Sequence, residues 1–207
     1  MENRLERLRN EIDKIIFKEK SDRIRMYISH MYGVARFCTL LAMKRDLDVE
    51  LATTCGMLHD IFYMSGGVSD NHAAKGAAQA ETILKAMGLY RDDEIKTVTT
   101  AILRHSDKTH IHEPYDELLK DADVMDHCLY NTAFPIAQWE MERYRKLLIE
   151  FGINEIKCVY TYANPPKEQA LSMDIPLITL FSDADAFVAL FLMQIACAGI
   201  RCRLRRI

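Results

Sequence analysis

Six side chains in this sequence could do metal chemistry together: His30, His59, Asp60, His72, His105 and Asp123. His59 and Asp60 are adjacent and close an apolar helical pattern, and the other four fall in four separate helical patterns. Imidazoles and carboxylates on facing helices are how an all-α protein builds a metal site. One inward histidine is usually a satisfied core residue. Six ionisable groups at inner or edge positions of five consecutive helices are different, because burying them together is costly unless a cation or hydrogen bonds satisfy them. A shared divalent metal removes that cost: neutral imidazole and ionised carboxylate bind it, and its charge offsets theirs. Mixed nitrogen and oxygen donors suit manganese, iron, zinc or cobalt.

The elements that must position these groups follow from apolar periodicity. Leu5, Leu8, Ile12 and Ile15 predict an amphipathic helix over 2–19. Ser21-Asp22 can cap a second, running to about Arg45 on a stripe of Ile24, Tyr27, Met31, Val34, Cys38 and Leu41, with His30 at its edge. A third helix starts near Asp48; its rail of Leu51, Cys55, Leu58 and Phe62 turns His59 inward. Asp60 then lies about 100° around the axis from His59. Ser65-Gly66-Gly67-Val68-Ser69 breaks the pattern as a connector or a substrate loop. Helices over 71–87 and 92–105 carry His72 and His105, and Gly88 is a natural stop between them.

His110 and His112 fall in a loop and are excluded as ligands. A helix over 115–131 turns Leu118, Ala122, Met125 and Leu129 inward with Asp123 beside them. Asp126 and His127, one turn on, read equally as partners that orient ligands or as an exposed face. Further helices are expected over 135–151 and 180–200, and nothing reads as a strand.

Composition narrows the function. The 207 residues are 49% apolar and 28% charged, which describes a globular chain of about one domain. A net charge of −3 argues against a protein that coats a nucleic-acid polymer. The six cysteines contain no Cys-x-x-Cys pair, so a zinc ribbon is unsupported. Cys38, Cys55 and Cys128 sit in apolar patterns as small hydrophobes, consistent with a reducing cytoplasm. The charged N-terminus has no signal-peptide core. The apolar run 186–200 is short for a bilayer span and suits a core or a homodimer interface. The basic end Arg201–Arg206 reads as a solvated helix end.

The ordered set resembles the HD-domain superfamily of metal-dependent phosphohydrolases. Three segments within about 21–131 carry the resemblance: Ser29–Phe37 around His30, Met57-Leu58-His59-Asp60-Ile61, and Lys120-Asp121-Ala122-Asp123-Val124-Met125-Asp126. The resemblance implies an all-α HD-domain helical bundle with a core of about 21–131; the chain is expected to form a single domain over 1–207, with a C-terminal helical extension over 132–207. It also implies a first metal on His30, His59, Asp60 and Asp123. His72 and His105 match the extra histidines of subfamilies with two metals, in which the aspartate of the dyad, here Asp60, bridges the ions. His72–Ala77 and Arg104-His105-Ser106 look similar to segments of bacterial dinuclear HD hydrolases, including those that cleave symmetric dinucleoside tetraphosphates.

The expected activity is hydrolysis of a nucleotide or similar small phosphorylated metabolite, with His59 and Asp60 at the catalytic centre. A bound metal lowers the pKa of water toward neutrality and so supplies hydroxide as nucleophile. Lys75, one turn from His72, and Arg104 and Lys108, which flank His105, are candidates to bind substrate phosphate. Many HD hydrolases carry a lysine shortly after the dyad; here Ile61, Phe62, Tyr63 and Met64 follow it. Two alternatives share the residues: an HD-type di-iron oxygenase, and a non-catalytic regulator that binds a nucleotide.

Overall fold

The computed structural model describes residues 3–18, 24–68, 70–130 and 136–153, all within one compact unit, Met1–Thr161. Among these residues there are eight helices and no strand: α1 (Arg4–Ile16), α2 (Ile24–Lys44), α3 (Val49–Leu58), α4 (Ile61–Met64), α5 (His72–Met87), α6 (Asp92–Arg104), α7 (Pro114–Tyr130) and α8 (Met141–Glu150). The all-α expectation holds.

Helix α2 is the centre of the arrangement, packed on α3 and α7, while α5 and α6 pair and α6 closes onto α3 and α7. Its stripe of Tyr27, Met31, Val34, Cys38 and Leu41 is buried, as the periodicity implied. Gly56 lets α3 approach closely, since a Cβ there would lie 2.7 Å from Ala35 Cα. On the other side, Gly33 leaves room for Asp126 of α7; a Cβ at 33 would overlap that carboxylate. Helix α1 caps itself through Asn3, whose Oδ1 accepts from the Glu6 amide at 3.1 Å. It buries Leu8, Ile12 and Ile16, and Arg4 pins it to Glu50 of α3 (2.7 Å) and Glu94 of α6 (3.0 Å).

The structure corrects several expectations. The third helix does not continue through Phe62. It starts on an Asp48 cap, whose Oδ1 accepts from Leu51 N at 2.7 Å, and stops at Leu58. Asp60 leaves helical geometry (φ −111°, ψ 24°) before one further turn, α4. Ile61 and Met64 fill the core below this break, and Phe62 is only half-buried. Leu129 is 39% exposed rather than inward, because the inner face of α7 passes from Met125 to Cys128. Helix α8 begins at Met141, not 135. Cys38, Cys55 and Cys128 are buried free thiols, and Gly88 ends α5 in the left-handed conformation (φ 63°).

No described helix is long and apolar enough to cross a membrane. The Ser21-Asp22 cap, the 180–200 helix with its apolar run, the basic end and Cys158, Cys197 and Cys202 lie outside the described residues.

Behind α7 runs a buried ionic network. Lys120 is fully buried and donates to His110 O (2.8 Å), His112 Nδ1 (2.7 Å) and Glu117 Oε1 (2.9 Å). Arg143 of α8 joins Glu117 (2.9 Å) to Asp121 (2.6 Å), and Arg45 joins Asp121 to Glu150, each at 2.7 Å. Arg143 also reaches the Lys108 carbonyl at 3.4 Å. This network fixes the α6–α7 connection, which carries Ser106 and Lys108.

Candidate metal centre

The break between α3 and α4 sets the Asp60 carboxylate among four imidazoles from four elements. Its Oδ2 faces one pair, His59 Nε2 at 3.6 Å and His30 Nε2 at 3.9 Å. Its Oδ1 faces another, His105 Nε2 at 3.6 Å and His72 Nε2 at 3.9 Å. Within each pair the nitrogens approach each other: His30 and His59 at 3.1 Å, His72 and His105 at 3.3 Å. Donors held about 2.1 Å from one ion stand about 3.0–3.4 Å apart along the edges of its coordination polyhedron. Asp60 Oδ1 is buried and accepts no hydrogen bond among the described residues, an orphan that a cation would satisfy. The donor set therefore fits divalent metal, as two groups that share Asp60: His30, His59 and Asp60, and Asp60, His72 and His105.

The ring orientations are set locally. A backbone carbonyl can only accept, so His59 Nδ1–H donates to Gly56 O (2.8 Å) and His105 Nδ1–H to Ile102 O (2.6 Å). Both bonds span one helical turn, and both leave Nε2 with its lone pair directed inward. His30 Nδ1 bonds Asp126 Oδ2 at 2.7 Å, the carboxylate for which Gly33 leaves space. His72 is held otherwise: its Nδ1 has no hydrogen-bond partner among the described residues, and its ring stacks on Tyr63 of α4 at 4.8 Å.

Asp123 stands 3.2 Å from His30 Nε2 and pairs through Oδ2 with Lys108. It forms a third group with His30 and His127. His127 Nε2 lies 3.4 Å from Asp123 Oδ1, and its Nδ1 bonds Glu140 at 2.9 Å.

Electrostatics divide the centre. Burial alone would lower the His30 pKa, but the Asp123 and Asp126 carboxylates raise it to about 10. Burial lowers His59, and lowers His105 to about 3. Burial opposes the Asp60 and Asp123 carboxylates, yet their neighbours win. Asp60 is lowered by His59, His105, His30 and His72, and Asp123 is held well below the usual range by Lys108 and His127.

All six side chains expected to bind metal thus meet at one place. Of the three expected phosphate binders, Lys108 reaches it. Lys75 is exposed on the first turns of α5, its Nζ 5.1 Å from the Phe62 ring. Arg104 turns to Asp116 at 2.8 Å. His110 stands exposed against Asp107 (2.9 Å), and His112 serves Lys120. Asp126 and His127 belong to the site and not to an exposed face; their spacing of three and four residues from Asp123 was the signal for it. Ser106, whose Oγ is 3.1 Å from His72 Nε2, stood out in the sequence only as part of Arg104-His105-Ser106, and Glu140 carried no sequence signal.

The HD domain family model matches residues 27–131 of this chain, 105 of its 207 residues. Among solved structures, the chain is similar to a predicted HD superfamily hydrolase from an uncultured Thermotogales bacterium, known from a crystal structure at 1.45 Å resolution. The two share 24% identity over 69% of this chain and 88% of the other, with a TM-score of 0.49. No curated protein matches.

Proposed function

This chain is a member of the HD domain family, and on that footing we propose that it is a metal-dependent phosphohydrolase acting on a nucleotide or another small phosphorylated metabolite. The observation that carries the reading is the placement of Asp60, whose two oxygens face different histidine pairs at 3.6 Å each for the nearer ring. His30, His59, Asp60 Oδ2 and Asp123 would hold one ion, and Asp60 Oδ1, His72 and His105 a second. Such ions, when bound, polarise a phosphoryl oxygen and make water a nucleophile near neutral pH.

The remaining residues do the positioning. The Lys108 ammonium, 8% exposed and beside Asp123, sets a fixed positive charge where phosphoryl oxygens would crowd the centre. It answers for the lysine absent after the dyad, since the chain supplies a cation from the α6–α7 connection instead. Ser106 Oγ, exposed at the edge of the His72–His105 pair, can donate to a substrate oxygen. Lys75 stands at the rim as a second anchor for an extended phosphate chain. Arg104, bound to Asp116, is left out of the substrate set.

The test is a panel of phosphorylated metabolites incubated with protein loaded with manganese, iron, zinc or cobalt. We expect phosphate release that Asp60→Ala abolishes while far-UV helicity persists. Oxygen uptake by the iron-loaded protein without phosphate release would replace the reading with an oxygenase. Tight nucleotide binding without turnover would replace it with a regulator.

A further inference from the structure

The geometry points to His127 as a seventh metal-binding side chain, a ligand of the cation held at His30 and Asp123. The inference rests on the metal reading above. It comes from the way the ring is built into the site. His59 and His105 each tie Nδ1 back to a fixed acceptor and present Nε2 inward, and His30 ties its Nδ1 to a buried carboxylate. His127 repeats the arrangement of His30. Its Nδ1 bonds Glu140 Oε1 at 2.9 Å, and Glu140 is only 5% exposed. A carboxylate behind the ring is the usual second partner of a ligating imidazole, because it fixes the ring and raises its basicity.

The front of the ring faces donors. Asp123 Oδ1 lies 3.4 Å from His127 Nε2 and 3.2 Å from His30 Nε2, and the three ligand atoms of this group lie within 4.8 Å of one another. Asp123 Oδ1 is buried with no hydrogen-bond partner among the described residues. Two ring nitrogens flanking an unsatisfied carboxylate oxygen make a place for a cation. The two rings lie parallel, 5.0 Å apart and 6° from coplanar stacking, so His127 is braced from its face as well as from behind.

The test uses the full chain loaded with Co(II), read by proton NMR for the hyperfine-shifted, solvent-exchangeable N–H resonances of bound imidazoles. His127→Gln keeps the capacity to donate to Glu140 or Asp123 but removes the ring, so it separates ligation from positioning. We expect the variant to lose one such resonance and to bind its first Co(II) more weakly than the wild type. The same set of resonances in both proteins would overturn the inference. Should His127→Gln lose wild-type helicity, Glu140→Gln keeps the ring and removes the carboxylate behind it. One resonance should then move while the others stay, and an unmoved set would again overturn the inference. A wild-type chain that takes up no Co(II) would sink the metal reading and this inference together. Co(II) bound through Asp60, with His127→Gln silent, would sink this inference alone.

Discussion

Each imidazole at the centre is only as useful as the group behind it. Asp126 orients His30 from the side away from the donors, and partners of this kind are typically worth 10–100-fold in metal affinity. We expect Asp126→Asn to weaken the first ion by about that factor, measured by titration calorimetry, with little change at the second. His72 has no such partner on Nδ1 among the described residues, so the second ion should leave first in stepwise dialysis against a chelator. Metal must also displace the proton that the His30 environment stabilises. With His30 raised to about 10 in the fold, its contribution to chelated protein is present below about pH 6.5 and is lost as pH rises through about 10. His105, lowered to about 3, works in the opposite direction: the unfolded chain takes its proton first, so stability falls as pH drops from about 6.5 toward 3. The melting temperature of chelated protein, followed from about pH 4 to 10, should therefore peak near pH 6.5. A profile flat across neutrality would contradict these assignments.

At the scale of elements, helix contacts translate directly into ligand positions. The two glycines of closest approach make the point. Gly33→Ala drives a methyl into the Asp126 carboxylate, so it should disturb His30 and lower metal affinity more than it lowers the stability of chelated protein. Gly56→Ala meets backbone of α2, 2.7 Å from Ala35 Cα, and should cost about 1–3 kcal/mol of stability by denaturant titration. The α6–α7 connection depends on Lys120. Replacing this buried lysine with methionine leaves Glu117 without one of its two cations and frees the segment after Lys108, which Lys120 holds at His110 and His112. We expect a loss of about 3–5 kcal/mol, together with a raised KM for a phosphorylated substrate. An unchanged KM would separate Lys108 from substrate binding.

Across the whole molecule, the sequence announced residue types and helix faces more clearly than it announced directions. The six metal-binding candidates were legible because histidine and aspartate at inner helical positions need a reason to be there, and the order in which they occur is a family's order. The break at Asp60 was not legible. The apolar rail through Leu58 to Phe62 reads as one helix, and only the pull of partners from four elements shows why the chain bends there. Asp126 and His127 could be placed one turn from Asp123 but not assigned a face, because that choice depends on the space left by Gly33, nearly one hundred residues away. Glu140, which supports His127 from beyond the end of α7, had no local signature at all. Lys75, Arg104 and Lys108 shared a single sequence argument, proximity to a ligand, and the structure treats them in three different ways.

A divalent ion bound at this convergence would also stabilise the fold, since an ion bound only by the native state adds to its stability by mass action, about 2.7 kcal/mol at one hundred times its dissociation constant. The most direct measurement is the metal content, by elemental analysis, of protein purified without chelators, for the wild type and for Asp60→Asn. We expect two divalent ions per chain, and at most one once a neutral amide takes the place of the shared carboxylate. A wild type free of metal, or an Asp60→Asn chain that still carries two ions, would contradict the bridging role we propose for Asp60.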